Sequence, residues 1–231
     1  MGRFVTNIAR FEPKIINFQF FIPEYCTGEK LPLLLFFHGM GSVGRDNQAQ
    51  LRLIKRFAAT DYQEKNERFF ILAPQCNEDN LWVDAQWGSL HNRFRNEPMP
   101  AMAEAMWLLK QVIFDFPVEQ HQVYVGGSSM GGFAVLDICR RMPEIFAAAF
   151  PICGGGDWHN LALNPKLNIW SFHGGADPVV PERSGELMSL AAEKCGCRVR
   201  RTVYPLAEHN SWNLAFGEEY LMPWLFRQRL D

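Results

Sequence analysis

"QVYVGGSSMGGFAVLDICRRM", residues 122–142, passes from a strand-like run through a glycine cluster into a helix-like run. Val123, Tyr124 and Val125 favour an extended backbone, four glycines surround two serines, and the residues that follow have helical spacing. A strand that turns abruptly into a helix exposes the side chain at its apex. Glycines flank that apex because neighbouring backbone comes too close for a β-carbon. Gly127-Ser128-Ser129-Met130-Gly131 reads as G-x-S-x-G centred on Ser129. Centred on Ser128 the pattern fails, because Met130 stands where glycine is required. Ser129 is therefore the candidate nucleophile, and the Met130 amide, at the start of the helix, is a donor for an oxyanion.

Apolar runs and helical patterns alternate outward from this point. Strands are expected over 15–23, 31–39, 68–75, 147–155, 167–175 and 198–206, and helices over 49–60, 101–116, 181–196 and 213–230, the last broken near Pro223. In the 101–116 helix, Met102, Met106, Leu109 and Ile113 fall near one face. Central runs such as "LPLLLFF" (31–37) are continuously apolar, as parallel strands covered on both faces must be. An α/β fold follows, with a mostly parallel central sheet and helices on both faces. No linker or internal repeat divides residues 1–231, so one domain is expected.

The 231 residues are 48% hydrophobic and 21% charged, with a formal net charge of −2. This composition argues against disorder, and the lack of a basic stripe argues against a nucleic-acid partner. No apolar run approaches the ~18 residues of a membrane span. The amino terminus lacks the apolar core of a secretory signal, which makes the cytoplasm the default address. Gly2 and Thr6 match a myristoylation pattern too short to outweigh chance. Cys26, Cys76, Cys139, Cys153, Cys195 and Cys197 are too scattered for a disulfide framework, and Cys195-Gly196-Cys197 is too tight for a zinc half-site, so reduced thiols are expected.

A serine nucleophile needs a base, and the base needs an acid to orient it. In sheets of this kind function collects at the carboxyl ends of the strands. His209 in "PLAEHNSW" follows the last strand and is the candidate base. His173 ends its own strand and suits support of a turn, and His159 lies in the loop after 147–155. Asp177 in "HGGADPVVP" follows the next-to-last strand and is the candidate acid. Asp157 is its rival, one strand earlier, and Glu208 adjoins His209 and points the wrong way. His38-Gly39-Met40-Gly41 allows the chain to fold back and bring the Met40 amide opposite that of Met130.

With these pieces placed, the chain resembles the compact esterases of the α/β-hydrolase superfamily. It is most similar to the predicted peptidase, polyhydroxybutyrate depolymerase and feruloyl esterase-like group. "LPLLLFFHGMGSVGRDN", "FFILAPQC", "VYVGGSSMGGFAVLDICRRMPEIFAAAFPICGGGD", "IWSFHGGADPVVP" and "YPLAEHNSW" carry the likeness over most of 31–212. The first thirty or so residues carry little of it. The resemblance implies an α/β-hydrolase fold and the triad Ser129, Asp177 and His209, the same residues reached above.

The short segment between "CGGGD" and "LNIW" leaves no room for a large cap domain, so an open cleft is expected. The stretch 76–100 is the candidate specificity wall. Trp82, Trp87, Trp158 and Trp212 fall in loops at the strands' carboxyl ends, where they either stack against aryl or sugar groups of a substrate or merely seal the loops. The leading function is a serine carboxylic ester hydrolase acting through an acyl-enzyme on a small-molecule or saccharide-linked ester, with neither metal nor organic cofactor. The alternatives are a serine peptidase for short peptides and a catalytically silent binding domain.

Overall fold

The computed structural model describes residues 2–11, 14–24, 28–58 and 68–230. One eight-stranded sheet organises them: β1 (Arg3–Phe11), β2 (Lys14–Ile22), β3 (Leu31–Phe37), β4 (Phe70–Pro74), β5 (Val118–Ser128), β6 (Ala148–Ile152), β7 (Asn168–Gly174) and β8 (Arg198–Tyr204). In space the order is β1-β2-β4-β3-β5-β6-β7-β8. All neighbours from β4 to β8 run parallel, while β1 pairs antiparallel with β2, and β2 antiparallel with β4. The fold is thus the mostly parallel α/β arrangement expected, with an antiparallel hairpin added at one edge. β1 was not anticipated. Its exposure alternates along "RFVTNIARF", a weak signal beside the continuously buried runs of β3, β4, β6 and β7.

Among the described residues the helices are α1 (Leu51–Ala58), α2 (Pro100–Asp115), α3 (Met130–Arg141), α4 (Glu182–Lys194), α5 (Trp212–Ala215) and α6 (Leu221–Phe226). The end of the expected 49–60 helix lies outside the described residues. The expected carboxy-terminal helix is two short ones. The break falls around Gly217, and Pro223 sits in the first turn of α6, where its missing N–H costs little. On α2 the buried face runs through Met102, Ala105, Leu109 and Val112, leaving Met106 and Ile113 at its margins.

Both faces of the sheet are covered. Leu33, Leu35 and Phe37 point into a core with residues of α2, α3 and α4, and Leu34 and Phe36 point into a second core with residues of α1, α5 and α6. This is why β3 is apolar at every position. No described helix is long and apolar enough to cross a membrane. Residues 153–167, between β6 and β7, form neither helix nor strand, so no cap interrupts the sheet there.

The strand order reverses between β3, whose successor β4 lies on one side, and β5, whose successor β6 lies on the other. At such a switch point two loops part at the carboxyl ends of the strands and leave a crevice. The loop after β3 and the β5–α3 turn both open there.

Candidate active site

Ser129 joins β5 directly to α3 with φ 57° and ψ −121°, a backbone conformation uncommon for any residue with a side chain. Its amide donates to the Ile152 carbonyl at 2.9 Å, and its own carbonyl accepts from the Phe133 amide at 3.1 Å. The turn is tight enough that a β-carbon at Gly131 would lie 2.1 Å from the Phe37 carbonyl oxygen, and one at Gly127 would lie 2.4 Å from that of Gly131. Glycine at these two positions lets α3 start against the end of β3.

Held this way, Ser129 Oγ lies 2.8 Å from His209 Nε2, and His209 Nδ1 lies 2.7 Å from Asp177 Oδ2. The three side chains come from the carboxyl ends of β5, β8 and β7. Asp177 has no exposed side-chain surface, and its Oδ1 accepts the amides of Val179 and Val180, each at 2.9 Å. One carboxylate oxygen is thus fixed by backbone, and the other is presented to the imidazole. His173, buried beside this loop, has Nε2 at 3.0 Å from the Val180 carbonyl and 3.5 Å from Asp177 Oδ2. Burial pushes its pKa down, so the neutral ring donates to Val180 and buttresses the Asp177 loop.

Met40 and Gly41 open a short 3-10 turn over Met40–Ser42, so their amides have no acceptor inside it. A β-carbon at Gly39 would sit 3.3 Å from that of Ser129, which places this turn against the Ser129 side chain. His38 holds the turn from beneath. Its Nδ1 donates to the Gly39 carbonyl at 2.8 Å, its Nε2 accepts the Cys76 amide at 2.9 Å, and its carbonyl accepts Trp82 Nε1 at 3.0 Å. Burial lowers the His38 pKa from 6.5 to about 4, with the Gly39 bond opposing the shift. Between these values the unfolded chain binds a proton that the folded chain does not, so His38 stabilises the fold fully above pH 6.5 and progressively less down to about 4. Over that window about 3 kcal/mol of stability should be lost to this group. Denaturant titrations of the wild type and His38→Gln should show the flatter pH dependence in the variant. Equal slopes would show that His38 does not control acid sensitivity.

The four tryptophans separate. Trp82 is 1% exposed, packed edge-on against Phe37 and His38 under the turn, and has no face in the cleft. Trp158 donates to the Leu90 carbonyl at 2.7 Å, stacks on His159, and lines a different groove. Trp87 and Trp212 do reach the cleft, Trp87 resting edge-on against Phe133 and Trp212 against the His209 ring. Met40, Arg52, Leu53 and Val179 complete a volume of about 430 Å³ around Ser129 and His209. Arg52 and Leu53 were not singled out in the sequence. Nothing in an amphipathic stretch like "LRLIKRF" tells which exposed flank will border a cleft.

Asp157 and His159 lie away from His209. Asp157 accepts from Arg93 Nη1, the Phe94 amide, and the amide and side chain of Asn160, and His159 faces His91 at 3.4 Å. Together these contacts clip the 76–100 stretch to the loop after β6. Cys195 and Cys197 are unpaired thiols that donate to the Leu161 and Asn164 carbonyls, and Cys76, Cys139 and Cys153 are unpaired as well. Cys26 lies outside the described residues. Among the described residues no three histidine, cysteine or acidic side chains are grouped to hold a metal.

Among curated proteins no sequence matches the chain. Among solved structures it is similar to a thermostable esterase at 28% identity and a TM-score of 0.87, over 98% of this chain and 63% of that one. A ferulic acid esterase matches at 14% identity and TM-score 0.70, over 98% of both chains. The acylaminoacyl peptidase of Pyrococcus horikoshii matches at 13% and 0.68, over 99% of this chain and 42% of its own. The chain therefore spans less than two thirds of the thermostable esterase and of the peptidase, and the two more distant matches speak to fold alone. A family model for phospholipases and carboxylesterases matches residues 26–219. With that match covering most of the chain, and the strand order and elbow described above, the protein belongs to the phospholipase/carboxylesterase family of α/β hydrolases.

Proposed function

We propose that the protein is a serine carboxylic ester hydrolase working through an acyl-enzyme. The observation that carries the reading is the unbroken run of short contacts from Ser129 Oγ through His209 to the buried Asp177 carboxylate, opening on the cleft. Asp177 holds the proton of His209 on Nδ1, which leaves Nε2 with a lone pair facing Ser129. As Oγ attacks the ester carbonyl, Nε2 takes its proton, and the Met130 and Met40 amides stabilise the charge growing on the carbonyl oxygen. His209 then returns the proton to the departing alcohol. A water deprotonated by the same nitrogen hydrolyses the acyl-serine.

The substrates proposed are small esters with a short acyl group or an aryl or sugar ring. The open cleft favours them, and the planes of Trp87 and Trp212 offer a ring a stacking surface. Steady-state turnover of an aryl acetate, compared with a short peptide anilide, tests the reading. The acetate should be turned over far faster, whereas preference for the anilide would make the protein a peptidase. Turnover of neither would leave a binding domain on a hydrolase fold.

A further inference from the structure

We propose that the cleft selects esters bearing an anionic oxygen group, a carboxylate being the smallest, and that Arg52 is the residue that selects them. This rests on the ester-hydrolase reading above. Several arginines elsewhere are matched to carboxylates, among them Arg93 to Asp157, Arg45 to Asp79, and Arg140 and Arg141 to Asp137, and Arg200 lies over the Trp170 ring. Arg52 is exposed, lines the same cleft as Ser129, and has no carboxylate partner among the described residues. Among the described residues no acidic side chain lines that cleft. Asp177, which meets His209 Nδ1 at 2.7 Å, has no exposed side-chain surface and is not part of that lining. An arginine fork over an otherwise uncharged pocket attracts an anion and can bind both its oxygens at once.

The position of Arg52 is built rather than incidental. Leu51 and Ile54, buried on the sheet, fix the rotation of α1 and turn Arg52 to the opposite flank. The chain entering the helix is pinned as well. Asp46 accepts the Gln48 and Ala49 amides, Asn47 donates its amide to Gln75, and Gln50 donates to the Asn47 side chain. A rigid base of this kind lowers the ordering cost of binding. The volume is in the range of roughly 300–1,000 Å³ usual for small-molecule sites, so one ligand can touch both Ser129 and Arg52.

The test compares kcat/KM for two matched pairs of aryl esters. In one pair a distal carboxylate sits on the acyl chain, and in the other on the aryl alcohol. Each has a partner in which that carboxylate is capped as a primary amide. For at least one pair the wild type should favour the anion by about tenfold at low ionic strength, with the preference shrinking in molar salt. The pair that discriminates shows on which side of the scissile bond the anion binds. Arg52→Gln should bring the ratio near one, Arg52→Lys should keep part of it, and Arg52→Glu should take it below one. No preference in the wild type, or one that survives Arg52→Gln, overturns the proposal. Absence of turnover on all four esters would instead overturn the hydrolase reading. In that event calorimetric binding of the free monoamide of the dicarboxylic acid, tighter to the wild type than to Arg52→Gln, still supports the Arg52 assignment, and equal binding rejects it.

Discussion

Ser129→Ala should lower ester turnover on the order of a millionfold, to the residue supplied by binding and the backbone donors alone. Its hydroxyl is the one that faces His209 Nε2 at 2.8 Å, and alanine removes it without asking the turn to change shape. Ser128→Ala should retain most activity. Ser128 is 2% exposed and belongs to β5, where it pairs with Ile152, and the hydroxyl bonded to His209 is that of Ser129. Burst and steady-state kinetics on an aryl acetate decide the matter. A dead Ser128 variant beside an active Ser129 variant would place the nucleophile one residue earlier.

Asp177→Asn should cost about ten-thousandfold in kcat. The cause can be followed atom by atom. The Val179 and Val180 amides need an acceptor, so the asparagine carbonyl oxygen takes the place of Oδ1 and its NH2 is turned toward His209 Nδ1. That NH2 donates, which makes Nδ1 an acceptor and moves the imidazole proton to Nε2. The nitrogen facing Ser129 then carries a proton and cannot accept one. Asp157→Asn should leave kcat nearly unchanged and loosen the clip between the loops, seen as earlier proteolysis in the 76–100 stretch. A collapse of kcat in the Asp157 variant, with Asp177→Asn active, would move the acid to the loop after β6.

The parts of the fold legible in the sequence were those under the tightest steric rule. The glycines at 127 and 131 have no substitute where backbone passes within 2.4 Å of a would-be β-carbon, so they mark the elbow in any reading. Asp177 and His209 could be placed because parallel strands deliver their loops to one edge. β1 escaped because an edge strand buries little and leaves only a faint alternation. The tryptophans could not be sorted for a related reason. Residues 76–99 form neither helix nor strand, so no periodicity tells Trp82, whose indole N–H is spent on a buried carbonyl, from Trp87, whose ring reaches the cleft.

The backbone of Ser129 has a consequence for how this chain can evolve. Holding a side-chain-bearing residue at φ 57°, ψ −121° costs about 1–3 kcal/mol, and glycine adopts the same angles without that cost. Among heat-tolerance selections that never sample catalysis, substitution of position 129 by glycine would be a favoured step. The lineage would gain melting temperature as it lost the hydroxyl that faces His209. On the ester-hydrolase reading proposed above, demand for turnover is what would keep serine at this position, because stability alone favours glycine.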